Sequence, residues 1–169
     1  MSPAASLLTL WSRLGVPEAA PASLEQIAVF ESRYGVSMPA DFKSYIAVTN
    51  GMADTKTITW DDEGVRFWGL PLSDEQFEKD IDWICPAFRA WPQCRQPEAD
   101  RLFVFADWCM SASDFAIDFL PGSPTYGQVF RLSDDTPQLI HRSFTDFVNN
   151  YVVSRDAVIF GCLEEASAP

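Results

Sequence analysis

Basic residues are scarce in this sequence. Its 169 residues include 12 lysines and arginines and one histidine, against 24 aspartates and glutamates, so the net charge is −12. A field of this sign repels phosphate backbones and anionic lipid, and it attracts cationic partners over long distances. We therefore expect no direct nucleic-acid binding, no membrane binding and a basic partner. The alternative is that the negative charge only keeps the protein soluble.

Cysteine and histidine are too few and too scattered for a zinc site. The four cysteines are Cys85, Cys94, Cys109 and Cys162, none of them in a CxxC pair, and His141 is the lone histidine. Structural zinc sites draw four ligands from closely spaced pairs. We expect no metal and no cofactor, and we interpret each cysteine as a buried, reduced thiol of a cytosolic protein.

Long apolar runs are also missing. No stretch approaches the roughly 20 apolar residues that a membrane-spanning helix needs. The first 15 residues contain a short apolar run, but no basic residue precedes it, which is unlike a signal peptide. These features predict a cytoplasmic location.

Local signals predict three helices in the first part of the chain. A short helix over residues 4–14 comes first. Ser23 starts a second helix with a capping box, and Gly35 ends it. Pro39 starts a third, which we expect to continue to residue 49 because an Asn-Gly pair follows. Apolar residues recur at three- and four-residue spacing in the last two helices, so these form a helical hairpin.

After residue 56 the apolar pattern becomes that of strands. Residues 57–60 and 65–68 are β-branched or aromatic, and they predict a hairpin around an acidic turn. Residues 102–106 form a continuous apolar run, typical of a strand covered on both faces, and residues 114–120 alternate as in a half-buried strand. The remaining predicted elements are a helix from residue 73 that Pro86 interrupts, a hairpin of 128–132 with 138–141, a helix capped by Ser143 and an apolar element at 157–163.

This order of elements predicts an α+β fold. We expect an antiparallel sheet of about four to six strands, with the N-terminal helical hairpin and the C-terminal helix packed on it. A chain of 169 residues fits one domain. We therefore expect a single domain over residues 1–169, with its core at 20–152 and a loose tail at 164–169.

The segment SLEQIAVFESRYGVSMPADFKSYIAVTNG, residues 23–51, resembles the opening signature of the SUKH superfamily, known also from yeast Smi/Knr cell-wall regulators. Downstream, RFWGLPLS, LFVFADW, FAIDF, GQVFRL and SFTDFVNNYV resemble its later motifs in the same order. The sequence departs at residues 108–111, where Trp-Cys-Met-Ser replaces a turn rich in Gly and Asp. The signature residues in this chain are Glu31, Tyr34, Gly35, Pro39, Asp41, Phe42, Asn50 and Gly51.

The resemblance implies a protein that binds other proteins. In bacteria this family supplies immunity proteins, which neutralise polymorphic toxin domains, nucleases among them. In fungi a relative serves as a regulatory scaffold. The family is not known for catalysis or for a cofactor, and we expect the bacterial role here.

The residues themselves also favour binding over catalysis. Neighbouring carboxylates are plentiful, as at Asp61-Asp62-Glu63 or at Asp107 with Asp114, but most lie in predicted turns, where aspartate is favoured for local hydrogen bonds. No nucleophile, phosphate-loop or dinucleotide motif occurs. We predict no catalytic residue and interpret His141 as structural or surface-exposed.

Tryptophan offers candidate anchors for a protein interface, since the chain has six. Most tryptophans of a protein fill its core, but Trp60 and Trp68 flank the acidic turn. We predict that the partner-binding residues are Trp60, Asp61, Asp62, Glu63, Trp68, Asp107 and Trp108. Neutralising the three acids of the turn should then slow association with a basic toxin.

Two other functions remain open at this point. One is a regulatory scaffold of the same fold without a toxin partner. The other is a small-molecule-binding domain, which requires a deep apolar pocket with a few polar groups. We expect a monomer or a weak homodimer.

Overall fold

The computed structural model describes residues 2–54, 59–70, 102–110, 112–132 and 137–160. Within these ranges the helices are α1 (Pro3–Leu14), α2 (Leu24–Tyr34), α3 (Ala40–Ile46), α4 (Phe144–Val153) and α5 (Arg155–Phe160). The strands are β1 (Val65–Phe67), β2 (Leu102–Trp108), β3 (Ser113–Asp118), β4 (Val129–Leu132) and β5 (Gln138–His141).

The strands form one antiparallel sheet in the order β1-β2-β3-β4-β5. All five helices contribute side chains to a core against one face of this sheet. Phe42 of α3 lies at its centre, with its ring in contact with those of Phe103, Phe105, Phe119 and Phe144. The α+β fold, the strand number and the helical layer are therefore confirmed.

The predicted helix start at Ser23 is confirmed by a complete capping box. The Ser23 hydroxyl accepts the backbone amide of Gln26 at 3.1 Å, and the Gln26 side chain accepts the amide of Ser23 at 2.8 Å. Left-handed Gly35 ends α2 as predicted. The Glu31 carboxylate then accepts the amide of Met38 at 2.7 Å and pairs with Lys43 at 2.8 Å, which holds α2 against α3.

Helix α3 is shorter than predicted. Pro39 precedes the first helical residue as its N-cap, and the helix ends at Ile46 instead of residue 49. The chain turns there, and the hydroxyl of Thr49 donates to the carbonyls of Gly51 at 3.1 Å and Ala19 at 3.3 Å. The helix thus ends before the Asn-Gly pair at residues 50–51, which predicted its end.

The Asn50 side chain fixes this turn to the segment after β1. Its Oδ1 accepts the backbone amide of Leu70 at 2.8 Å, and its Nδ2 donates to the carbonyl of the same residue at 3.0 Å. The two backbones approach so closely that a β-carbon on Gly69 would lie 2.2 Å from the carbonyl oxygen of Asn50. Only glycine fits at position 69.

The predicted hairpin of residues 57–60 with 65–68 is wrong for the part that is described. Thr59 and Trp60 lie in no strand, and β1 pairs with β2 instead. The Arg66 guanidinium donates to the carbonyl of Thr59 at 3.0 Å and pairs with Asp54 at 2.6 Å. The backbone carbonyl of Thr59 is therefore hydrogen-bonded by a side chain and not by a neighbouring strand.

The central strands of the sheet are buried on both faces. Strand β2 is covered on both sides as predicted, but β3 is not half-buried, because all six of its residues are buried. On the face away from the helices, Leu102, Val104, Ala116 and Phe130 form a second apolar cluster.

Two side chains cap α4. The Ser143 hydroxyl accepts the amide of Asp146 at 3.0 Å, as predicted. The Asp41 carboxylate, from α3, accepts the amide and the hydroxyl of Thr145 at 2.9 and 3.0 Å. Of the predicted element at 157–163, residues 157–160 lie in a helix that begins earlier, at Arg155, and residues 161–163 lie outside the described residues.

Several predictions lie outside the described residues. They are the helix from residue 73 with its break at Pro86, the strand residues 57–58, the tail at 164–169, and Cys85, Cys94 and Cys162.

Candidate partner-binding site

The acidic turn at residues 61–64 is built around a buried carboxylate. Asp61 is 7% exposed. Its Oδ1 accepts the backbone amides of Glu63 at 3.0 Å and Val65 at 2.7 Å, and its Oδ2 accepts the hydroxyl of Tyr151 from α4. Burial, and after it the charge of Asp61, raises the pKa of Tyr151 above its ordinary value. Asp61 therefore anchors the turn to α4 and presents little surface to a partner.

The next two residues of the turn face solvent. The side chains of Asp62 and Glu63 are 51% and 43% exposed, and both lie beside Arg155 of α5, at 3.0 and 3.7 Å. Two carboxylates against one guanidinium leave an excess of negative charge. The pairs are exposed to solvent, so each contributes little to the free energy of unfolding.

The end of β2 and the residue that follows it pack against this turn. The Trp108 indole Nε1 donates to the carbonyl of Glu63 at 3.0 Å, and the amide of Cys109 donates to the carbonyl of Gly64 at 2.9 Å. Cys109 and Met110 both have positive φ angles, 49° and 56°. Two segments that are distant in sequence are thereby joined into one surface.

Helix α5 completes this surface with an aromatic ring. Phe160 contacts Trp108 edge to face at 5.1 Å between ring centroids and is 62% exposed. Met110 is 83% exposed. We call the set Asp62, Glu63, Trp108, Cys109, Met110 and Phe160 the acidic-turn surface.

The structure brings together only some of the predicted partner-binding residues. Asp62, Glu63 and Trp108 lie in the acidic-turn surface, and half-buried Trp60 directly precedes the turn.

The predicted residues Trp68 and Asp107 lie on the opposite face of the sheet. Trp68 packs on the second apolar cluster, whereas Trp108 packs on the main core. The Trp68 Nε1 donates to the carboxylate of Asp107 at 2.7 Å, and the Arg66 guanidinium lies 4.1 Å from the Trp68 ring. Asp107 is 1% exposed. Trp68 and Asp107 are therefore not brought together with Asp62.

Sequence reasoning missed part of the acidic-turn surface. Cys109 was expected to be buried, and this is wrong, because it is an exposed free thiol. Its position between two predicted strands, in a connection that contains neither Gly nor Asn, is the signal that could have indicated its exposure. Phe160 gave no signal, because a phenylalanine within an apolar run normally predicts burial.

A small cleft opens beside the surface, between the end of α1 and the junction of α4 with α5. Its volume is about 290 Å³, and its lining includes Arg13, Glu63, Tyr151 and Arg155. Charged and polar groups dominate this lining. The cleft therefore suits a polar side chain better than the apolar ligand that a deep hydrophobic pocket takes.

His141 is a structural residue. It is 8% exposed, its ring packs on Phe147 at 5.6 Å between centroids, and its Nδ1 lies 3.3 Å from the side-chain nitrogen of Asn150. Burial lowers the pKa of the imidazole, although the nearby charge of Asp146 acts in the opposite direction.

The described part of the chain holds no group of three or more Asp, Glu, His and Cys side chains that could bind a metal ion. Asp107 and Asp114 are cross-strand partners in β2 and β3, and both are buried. Within the same residues no helix is long and apolar enough to cross a membrane.

Comparison with known proteins identifies the family. A search of curated proteins found no match. The model of the SMI1 / KNR4 family (SUKH-1) matches residues 21–150, which is most of the chain and includes the helical hairpin, the sheet and most of α4. The resemblance of the sequence motifs to this family is therefore confirmed, and the chain belongs to the SMI1 / KNR4 family (SUKH-1).

Proposed function

We propose that this chain is an immunity-type binding protein, which neutralises a cognate toxin domain by direct contact and without catalysis. Membership of a family of protein-binding domains supports this proposal in general terms. The observation that carries it is the acidic-turn surface, which combines two exposed carboxylates with the exposed apolar side chains of Met110 and Phe160.

The proposed mechanism begins with electrostatic attraction. A net charge of −12 attracts a basic protein at long range, and complementary charge raises association rates by about 10–10³-fold. Apolar contacts at the centre of the surface then hold the complex, since interface cores are apolar and their rims polar. Bound in this way, the protein covers the toxin's active site or a neighbouring surface.

The first test is co-expression with the protein encoded by the adjacent gene. If the proposal is right, the adjacent protein arrests growth when expressed alone, this chain restores growth, and the two proteins co-purify. A regulatory scaffold would bind a partner that is harmless on its own. An adjacent protein that is neither toxic nor bound by this chain contradicts the proposal.

A charge variant then tests the surface. D62N/E63Q removes two exposed charges but keeps the Asp61 anchor, so the fold is retained. We expect its association rate to fall several-fold at low salt and to approach that of the wild type at high salt. The matched control is E25Q/D146N, which removes two exposed charges on α2 and at the start of α4. Equal rates for both variants would exclude the acidic-turn surface as the site of steering.

A further inference from the structure

Cys109 and Met110, which directly follow β2, adopt an unfavourable backbone conformation, because both have φ angles in the left-handed region, 49° and 56°. Side chains with a β-carbon are strained there, so natural sequences normally place Gly or Asn at such positions. This chain places two residues there that do not favour the conformation.

Neighbouring groups hold Cys109 and Met110 in this state. The amide of Cys109 donates to the carbonyl of Gly64 at 2.9 Å, and the amide of Ala112 donates to the carbonyl of Trp108 at 2.9 Å. The Trp108 ring is itself fixed by the carbonyl of Glu63 and by Phe160. The strain is thus imposed by the tertiary structure, which is common where a protein presents a functional side chain.

The second of these strained residues, Met110, presents its side chain to solvent. Met110 is 83% exposed, so its side chain gains little packing in the free protein that could offset the strain. Methionine is unbranched and polarisable, and it adapts to irregular apolar sockets on binding partners. Phe160, exposed Cys109 and the carboxylates of Asp62 and Glu63 lie in the same surface.

We propose that Met110 is the central anchor of the partner interface, inserted into an apolar socket with a basic rim on the partner protein. This inference rests on the proposed function for the existence of that partner. The apolar socket follows from the exposed thioether and Phe160, and the basic rim follows from the excess of carboxylates in the adjacent turn.

Two variants test the proposal, with the adjacent-gene protein as the probe. M110G relieves a strained residue and removes the anchor, whereas L24A removes an exposed apolar side chain of α2 outside the acidic-turn surface. We expect M110G to raise the melting temperature by about 1–4 °C. L24A should keep its affinity for the probe, whereas M110G should lose about tenfold or more. M110L, which preserves volume, should bind within about threefold of the wild type.

The outcomes separate the two proposals. Equal affinity of wild type and M110G for the probe rejects the Met110 anchor and leaves the proposed function in place. A lower melting temperature for M110G rejects the strain on which the inference depends. If the wild-type chain does not bind the probe, the proposed function fails and this inference fails with it.

Discussion

Replacing Asp61 should destabilise the whole fold, although it lies in a surface turn. The D61A variant deletes an acceptor that serves two backbone amides and the hydroxyl of Tyr151. Val65 and Tyr151 are buried, so their donors lose a partner that water cannot easily replace. Neutralising the two next residues, Asp62 and Glu63, leaves all three hydrogen bonds in place.

The magnitude follows from the number and kind of these bonds. A hydrogen bond to a charged group contributes roughly 1.5–3 kcal/mol, and each buried donor left without a partner costs about 1–3 kcal/mol. We therefore expect D61A to lose about 3–5 kcal/mol of unfolding free energy and Y151F about 1.5–3 kcal/mol. Because the two residues share a contact, the double variant should lose less than the sum, by about 0.5–3 kcal/mol.

Urea unfolding at pH 7, followed by tryptophan fluorescence, measures these differences. The D62N/E63Q variant is the control, and it should change the unfolding free energy by at most about 1 kcal/mol, because its ion pairs are exposed. A loss below about 1 kcal/mol for D61A, or strict additivity with Y151F, would refute the reasoning. A binding defect of any variant at Asp61 is then attributed to misfolding and not to lost charge.

Three further predictions concern pH and packing. Burial raises the pKa of Tyr45 and of Tyr151 above 10.0, so the unfolded chain releases these protons first. Their contribution to the free energy of unfolding is fully present below pH 10, and above it each tyrosine should lose about 1.4 kcal/mol per pH unit. In urea unfolding between pH 9 and 11, Y45F should remove the part of this loss that is due to Tyr45. Burial lowers the pKa of His141 below 6.5, so stability should decline as the pH falls from 6.5 towards the folded pKa. An NMR titration gives that pKa, and H141Q should flatten the decline. G69A should prevent folding or greatly lower the melting temperature, since its β-carbon meets the carbonyl of Asn50, whereas G122A, in a loop with open space, should cost far less.

The parts of the fold that local chemistry determines could be predicted from the sequence. The capping box at Ser23, the left-handed Gly35 and the Ser143 cap depend on contacts within a few residues, and each was found where predicted. The continuous apolar run at 102–106 indicated a strand covered on both faces, because its length and aromatic content favour a strand and neither of its faces carries polar residues.

The failures come from contacts between distant residues. Asp61 is buried because Tyr151, 90 positions away, donates to it. Residues 59–60 form no strand, and the carbonyl of Thr59 accepts a hydrogen bond from the Arg66 side chain instead of from a neighbouring strand. Spacing along the chain also placed Trp68 and Trp108 in one candidate site, but their strand positions put them on opposite faces of the sheet. Sequence patterns carry no information on such pairings.

The acidic-turn surface is held together mainly by main-chain groups. The carbonyls of Glu63 and Gly64 receive the Trp108 indole and the Cys109 amide, and Asp61 binds backbone amides from below the surface. The exposed side chains at positions 62, 63, 110 and 160 can therefore be exchanged without removing the bonds between backbone carbonyls and amides. In the proposed interface, recognition and folding are encoded by different atoms of the same residues, so a lineage of such proteins could diversify its specificity while it keeps the architecture unchanged.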